Sequence, residues 1–226
     1  MTGMPAVVLL LSDARLPAGG HAHSAQIEAA AAAGLVDTVD DLFTFLRGRL
    51  ARGGAQAAAF AAAACVQAVR DPLRWDALDA ELDARTPSPA IRASSRHQGR
   101  TLVRAASTAW PSVALTALAR QPGGPHHPLV VGCIAGATGC TPVEAALVAA
   151  YLSVSGPASA AVRLLGLDPL SVNAGIAQLA SDIDAVATEA ATYADGPPAD
   201  LPSSSAPLVD LLAEDHATWE VRLFAS

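Results

Sequence analysis

The chain has 226 residues, of which fifty-three are alanine and 52% are hydrophobic, and its formal charge is −7. All fourteen basic residues are arginine, so a phosphate-loop lysine, a Schiff-base lysine and a lysine general base are excluded. The acidic balance argues against binding to nucleic acid or to an anionic membrane, because both need a basic face. Alanine is the best intrinsic helix former, so the composition favours an all-α chain.

Helix boundaries are marked by capping residues and prolines along the whole chain. Gly34 follows an alanine run and is typical of a helix end. Asp71-Pro72, Ser88-Pro89 and Asp168-Pro169 each place a capping side chain before a proline. Proline loses nothing at the first helical position, because the N–H of that position has no partner. Thr141 to Glu144 forms a capping box, the strongest local signal in the chain.

These signals predict a single compact all-α domain of about ten helices and no strand. The predicted helices run over residues 5–11, 22–33, 39–52, 55–69, 72–84, 89–107, 111–120, 129–138, 142–165 and 170–193. Gly53-Gly54 separates two of them, residues 121–128 form a loop, and Gly156-Pro157 should kink or split the longest helix. The apolar stretch 128–143 is interrupted by glycine and proline, so we expect a buried helix and turn there and no membrane span.

Composition divides the chain into three parts. Residues 1–194 hold the helical domain, and residues 195–207 (DGPPADLPSSSAP) have the composition of a flexible, disordered linker. Residues 208–226 turn apolar again, and such a tail must dock either on this chain or on another one. The three cysteines form no C-x-x-C pair, which suits a reducing, cytoplasmic location.

Histidine and cysteine positions leave a metal site open as one interpretation. His21 and His23 follow a glycine turn, His126 and His127 lie in the proline-glycine loop, and Cys133 stands one turn into the next helix. Imidazole and thiolate groups are ligands for soft and borderline metals. Capping or packing roles are the favoured interpretation of the same residues, because a free cysteine behaves as a small hydrophobe.

Catalytic signals are weak. No G-x-S-x-G elbow is present, and the carboxylate pairs Asp40-Asp41 and Asp182/Asp184 are expected on solvated helix faces. Arg163 stands alone in an apolar run and must pair or hydrogen-bond, because an unpaired buried guanidinium is costly. A helical enzyme with a pocket lined by histidine and aspartate stays open as an alternative.

An ordered set of short motifs resembles the urease accessory protein UreF family. The set comprises Leu16–Gly20 followed by Ser24 and Glu28, then Arg96, Gly99 and Arg104, His127-Pro128 with Gly132, Tyr151-Leu152, the run Ser159–Leu164, and His216 followed by Arg222–Phe224 and Ser226. The chain departs from the usual family pattern at His21, at Gly156-Pro157 and over residues 166–169.

The resemblance implies a mostly helical fold, a homodimer and a non-catalytic, cytoplasmic scaffold. Such a protein binds a UreD/UreH-like accessory protein and helps recruit a UreG-like GTPase, and the assembly inserts nickel into apo-urease. We therefore expect no cofactor, because nickel would pass through the complex without being held stably. The alternative is a nickel-binding metal carrier that uses His21, His23, His126, His127 and Cys133.

The resemblance also implies which residues bind partners. They are Gly19, Gly20, Ser24, Glu28, Arg163, His216, Trp219, Arg222, Leu223 and Phe224. The tail 208–226 would dock against the UreD-like partner through its aromatic and arginine side chains, because these residue types dominate interface energetics. The glycine turn would belong to the same functional end, and Arg163 would lie near the dimer contact or a transit path.

Overall fold

Helices form every regular element in residues 5–204 and 206–226, the part of the chain that the computed structural model describes. The α-helices are α1 (Ala6–Ser12), α2 (Ile27–Ala32), α3 (Val39–Arg49), α4 (Ala55–Gln67), α5 (Trp75–Ala84), α6 (Pro89–Ala109), α7 (Val113–Leu118), α8 (His127–Ala137), α9 (Pro142–Leu165), α10 (Pro169–Gln178), α11 (Ala180–Ala191) and α12 (Pro207–Ala217). A π-helical turn, Leu50–Gly54, joins α3 to α4, and two 3₁₀ turns cover Gly20–Ala22 and Pro198–Asp200. The all-α prediction is confirmed.

Helix α4 is the centre of the core. It packs against α8 and α9, and α11 covers both α9 and α4. Its alanines from Ala58 to Ala64 are all buried, so the neighbouring helices approach it closely. A Cβ atom added to Gly132 of α8 would lie 2.1 Å from the Ala61 carbonyl oxygen, which explains why this position holds glycine.

The capping signals locate several helix ends correctly. The Ser88 hydroxyl accepts the Ile91 N–H at the start of α6, and Asp168 accepts the N–H groups of Leu170 and Ser171 at the start of α10. The predicted capping box at Thr141 begins α9. Gly34 adopts a φ of 70° after α2, as the αL helix end requires.

Three predicted helices differ from the observed ones. Residues 23–26 are not helical: His23 and Ser24 bond the C-terminal tail, and Ala25 and Gln26 bond Arg49. Helix α5 begins at Trp75, the first residue of its buried face, and not at Pro72. The predicted helix 170–193 is two helices, α10 and α11, which meet at the buried Leu179.

Helix α9 runs without a break from Pro142 to Leu165, so the predicted split at Gly156-Pro157 does not occur, and the predicted kink stays a prediction. Proline lacks the N–H that the carbonyl of Ser153, four residues earlier, would accept. The guanidinium of Arg49 fills this place, because its Nε donates to the Ser153 oxygen at 3.2 Å. Helix α9 is long and apolar enough to cross a membrane, yet 56% of its most apolar 18-residue window is buried inside the protein.

The chain after α11 lies against the helical body. Arg85, the residue that follows α5, donates to the carbonyl oxygens of Leu201 and Ala199 at 3.1 and 2.8 Å, and the Leu201 side chain is buried. Helix α12, which the sequence reasoning did not predict, packs on α2 and α6. The division into residues 1–194, 195–207 and 208–226 stays a prediction.

Candidate partner-binding site

The C-terminal tail folds back onto the segment that follows the glycine turn. The Ala225 N–H donates to the Ala22 carbonyl oxygen at 2.7 Å. Ser24 donates twice to the Ser226 carbonyl oxygen, from its backbone N–H at 2.5 Å and from its hydroxyl at 2.9 Å. The predicted docking of the tail therefore occurs within this chain.

Glu28 of α2 is the main acceptor for the tail. Its carboxylate accepts the backbone N–H of Leu223 at 2.7 Å, that of Phe224 at 3.0 Å, and His216 Nε2 at 2.9 Å. Burial raises the pKa of Glu28, but these donors and the charge of His216 lower it more, so the net pKa lies below its usual value. Ser24 and Glu28 are only 0% and 7% exposed, so their contacts are with the tail and not with the outside.

Arg163 of α9 holds the tail from the other side. Its Nη2 donates to the His21 carbonyl oxygen at 3.0 Å, and its guanidinium lies 4.8 Å from the centre of the Phe224 ring. Such a cation–π contact contributes about 0.5–2 kcal/mol, depending on its burial. Arg163 itself is exposed, so the sequence argument was wrong to treat it as a buried guanidinium, although it does hydrogen-bond.

Gly19 and Gly20 form the turn that leads into this site. Gly19 has a φ of 76° and caps the 3₁₀ turn that contains His21, the carbonyl partner of Arg163. Trp219 packs on the His216 ring, and Arg222 donates to the His216 carbonyl oxygen at 3.5 Å. The ten residues predicted to bind partners therefore lie in one region, although they span positions 19 to 224 of the sequence.

The tail and α12 expose four large apolar side chains alongside exposed charged ones. Leu208 and Leu211 of α12 are 54% and 68% exposed, and Val221 and Leu223 of the tail are 89% and 77% exposed. Trp219 is half-buried, packs its ring 4.9 Å from the His216 ring, and donates its indole N–H to Asp215. Large apolar side chains that stay exposed in one segment of the chain are consistent with a protein-binding role.

A cavity of about 790 Å³ lies beneath this site, between α6, α9 and the glycine turn. His23 and His127 line it, and burial lowers the pKa of each to about 4, with neighbouring histidines adding to the effect. Both imidazoles are therefore neutral at pH 7. His23 Nδ1 lies 2.7 Å from the Ser226 hydroxyl, while its buried Nε2 has no protein partner among the described residues.

His126 belongs to a structural network. It is fully buried, and its Nδ1 and Nε2 lie 3.0 and 2.8 Å from Ser95 Oγ and Asp83 Oδ1. Asp83 also accepts from Arg96, which bonds Asp79 and the carbonyl oxygen of Gly124. Both ring nitrogens of His126 are occupied, so the network fixes the loop 121–126 against α5 and α6.

The metal-ligand candidates do not converge on one point. Within residues 5–204 and 206–226, no three or more His, Cys, Asp or Glu side chains are grouped so that they could hold a metal ion. Cys133 is buried in α8, and burial raises the pKa of its thiol to about 12. His21 is exposed, whereas His126 is used by Ser95 and Asp83.

Sequence reasoning missed two contributors to the site. Ser94 of α6 places its hydroxyl 2.7 Å from that of Ser226, and nothing in its local sequence points to this contact. Arg49 carries no motif, although Pro157 and its freed carbonyl give an indirect signal that a donor is needed near α9.

Comparisons with known proteins identify the family of the chain. The sequence profile of the UreF family matches residues 36–180. Urease accessory protein UreF of Mycobacterium sp. (strain JLS) is 44% identical over 222 residues, which cover 97% of both chains. The UreF proteins of Mycobacterium marinum (strain ATCC BAA-535 / M) and Mycobacterium tuberculosis (strain CDC 1551 / Oshkosh) are 43% and 40% identical over 221 residues and 98% of both chains. The chain belongs to the UreF family of urease accessory proteins.

Proposed function

We propose that the chain is a non-catalytic scaffold of urease maturation in the cytoplasm. It bridges a UreD/UreH-like accessory protein and a UreG-like GTPase, so that nickel can be inserted into apo-urease, and it acts as a homodimer. The observation that carries this proposal is the tail, whose backbone is held by buried polar groups while its apolar side chains face outward.

A preorganised tail suits partner binding for an energetic reason. Ordering a free segment at the moment of binding costs conformational entropy, which weakens the complex. Here the contacts with Ser24, Glu28 and Arg163 fix the tail before a partner arrives. Leu223 illustrates the arrangement, because its N–H binds Glu28 while its side chain is 77% exposed. The exposed side chains are therefore available for the UreD/UreH-like partner.

The scaffold role also fits the chemistry of the buried histidines. His126 and His216 each bond a carboxylate, at 2.8 and 2.9 Å, but both histidines are buried and act in holding segments together. These pairs support a structural role for the groups that an enzyme would use as acid and base. The nickel-carrier alternative would need the neutral imidazoles of His23 and His127, which face the cavity.

Co-expression with a UreD/UreH-like and a UreG-like protein, followed by size-exclusion chromatography, tests the proposal. The full chain is expected to elute with both proteins, and a chain truncated after Pro207 is expected to lose the UreD/UreH-like protein. A truncated chain that keeps both partners would refute the docking role of the tail. Equilibrium dialysis of the purified chain against nickel addresses the alternative: tight stoichiometric binding that is lost in H127A would favour the carrier.

A further inference from the structure

The segment that receives the tail contains a strained turn. Ala25 and Gln26 have φ angles of 52° and 70°, in the left-handed region that residues with a Cβ atom rarely adopt. Such a conformation persists only where the surrounding structure holds it in place. Gln26 is 5% exposed, so the groups that hold this turn lie inside the protein.

The strained turn separates two groups of tail contacts. On one side, Ala22 and Ser24 bond Ala225 and Ser226. On the other side, Glu28 accepts the N–H groups that precede Ala225 in the tail. Both groups of contacts can form together only if the backbone between them turns as it does at residues 25 and 26. The conformation of this turn therefore determines whether the tail can dock.

Arg49 holds the turn in this conformation. Its Nη1 donates to the Ala25 carbonyl oxygen at 3.3 Å and to the Gln26 side-chain oxygen at 3.1 Å. Its Nε donates to the Ser153 carbonyl oxygen that Pro157 leaves without a helical donor. Burial lowers the pKa of Arg49 to about 10, so the guanidinium stays charged at neutral pH. Among the described residues the guanidinium forms no ion pair, and its hydrogen bonds are to two backbone carbonyl oxygens and one side-chain amide oxygen.

We infer that Arg49 is a positioning residue for the partner-binding tail, acting through the turn at Ala25 and Gln26. Arg49 fixes this turn relative to α9, and the turn aligns Ser24 and Glu28 with the tail. Among the described residues, the side chain of Arg49 forms no hydrogen bond with the tail itself. The inference rests on the proposed function only for its consequence in partner binding, since tail docking is a property of the chain alone.

Hydrogen exchange of the purified full chain tests the inference first. Arg49→Met keeps a long apolar stem and removes every donor. It is expected to speed exchange of the Leu223, Phe224 and Ala225 amides at least about tenfold, while the amides of α4 change less. Arg47→Met is the matched control, because Arg47 lies exposed on the same helix, and it should leave tail exchange unchanged. Tail amides in Arg49→Met that exchange at the wild-type rate would overturn the inference.

Two substitutions at Gln26 give an independent test that leaves Arg49 intact. If Arg49→Met also speeds exchange in α4, these two variants decide whether the turn controls tail docking. Both Gln26→Ala and Gln26→Gly remove the side-chain acceptor, but only glycine relieves the left-handed strain. Tail exchange is expected to be several-fold faster in Gln26→Ala than in Gln26→Gly. Equal exchange rates in the two variants would contradict the role of the turn.

Partner binding then separates this inference from the proposed function. Arg49→Met is expected to weaken binding of a UreD/UreH-like protein, and Arg49→Met/Gln26→Gly is expected to recover part of the loss. If the tail loosens in Arg49→Met while partner binding is unchanged, the proposed function of the tail fails and the positioning role of Arg49 stands. If the tail stays docked, the positioning role fails whatever the partner does.

Discussion

Substitution of Glu28 by glutamine removes the charge that holds the tail while keeping the shape of the side chain. In the wild-type chain the two carboxylate oxygens accept two backbone N–H groups and His216 Nε2, at 2.7 to 3.0 Å. The glutamine amide replaces one acceptor by a donor, so at least one tail N–H loses its partner. A hydrogen bond to a charged group contributes about 1.5–3 kcal/mol, and a loss of about 2 kcal/mol corresponds to about 30-fold faster local opening.

Hydrogen exchange of the Leu223 and Phe224 amides measures this loss directly. Glu28→Gln is expected to speed their exchange about 30-fold, with little change in the amides of α4, because the tail opens locally. Glu189→Gln is the matched control, since Glu189 is exposed on α11, and it should leave these amides unchanged. If tail exchange in Glu28→Gln equals that of the wild-type chain, Glu28 does not hold the tail and the account of the site is wrong.

Three further predictions concern pH and packing. Because the pKa of Glu28 lies below its usual value of 4.5, its contribution to tail docking is complete above about pH 4.5 and is lost as the pH falls through the lower folded value. The protection of the tail amides, relative to an unstructured peptide at the same pH, should therefore fall below pH 4.5 more in the wild type than in Glu28→Gln. Gly132→Ala should lower the free energy of unfolding by about 2 kcal/mol or more in a denaturant titration, because its Cβ atom would lie 2.1 Å from the Ala61 oxygen. Gly48→Ala is the control, because open space surrounds Gly48, and it should leave the free energy of unfolding unchanged or raise it by up to about 1 kcal/mol. Asp79→Asn, which breaks a buried pair with Arg96, should cost about 2 kcal/mol in the same titration, and an unchanged midpoint would contradict its role in fixing the loop.

Helix boundaries were predictable where one residue and its near neighbours decide the structure. Ser88, Thr141 and Asp168 cap helices as predicted, because each bonds an N–H two or three residues further along the chain. A split at Pro157, one of the two predicted outcomes, does not occur, and the donor that satisfies the freed carbonyl comes from Arg49, more than a hundred residues earlier.

The site was predictable as a set of residues but not as a geometry. The family resemblance pointed to Glu28 and His216, yet no local pattern shows that they pair at 2.9 Å across 188 positions. Tertiary contacts of this kind also override helix propensity, as they do at Ala25 and Gln26, where the tail and Arg49 stop the predicted helix from starting at Ala22.

The affinity of the chain for a UreD/UreH-like protein, measured by titration calorimetry, tests the central claim most directly. Val221 and Val113 are both almost fully exposed, at 89% and 81%, but only Val221 lies on the tail. The account predicts that Val221→Asp weakens binding by about 30-fold or more, because a charge would be buried at the interface, and that Val113→Asp binds like the wild type. Equal affinity of the two variants for the partner would show that the tail does not form the interface.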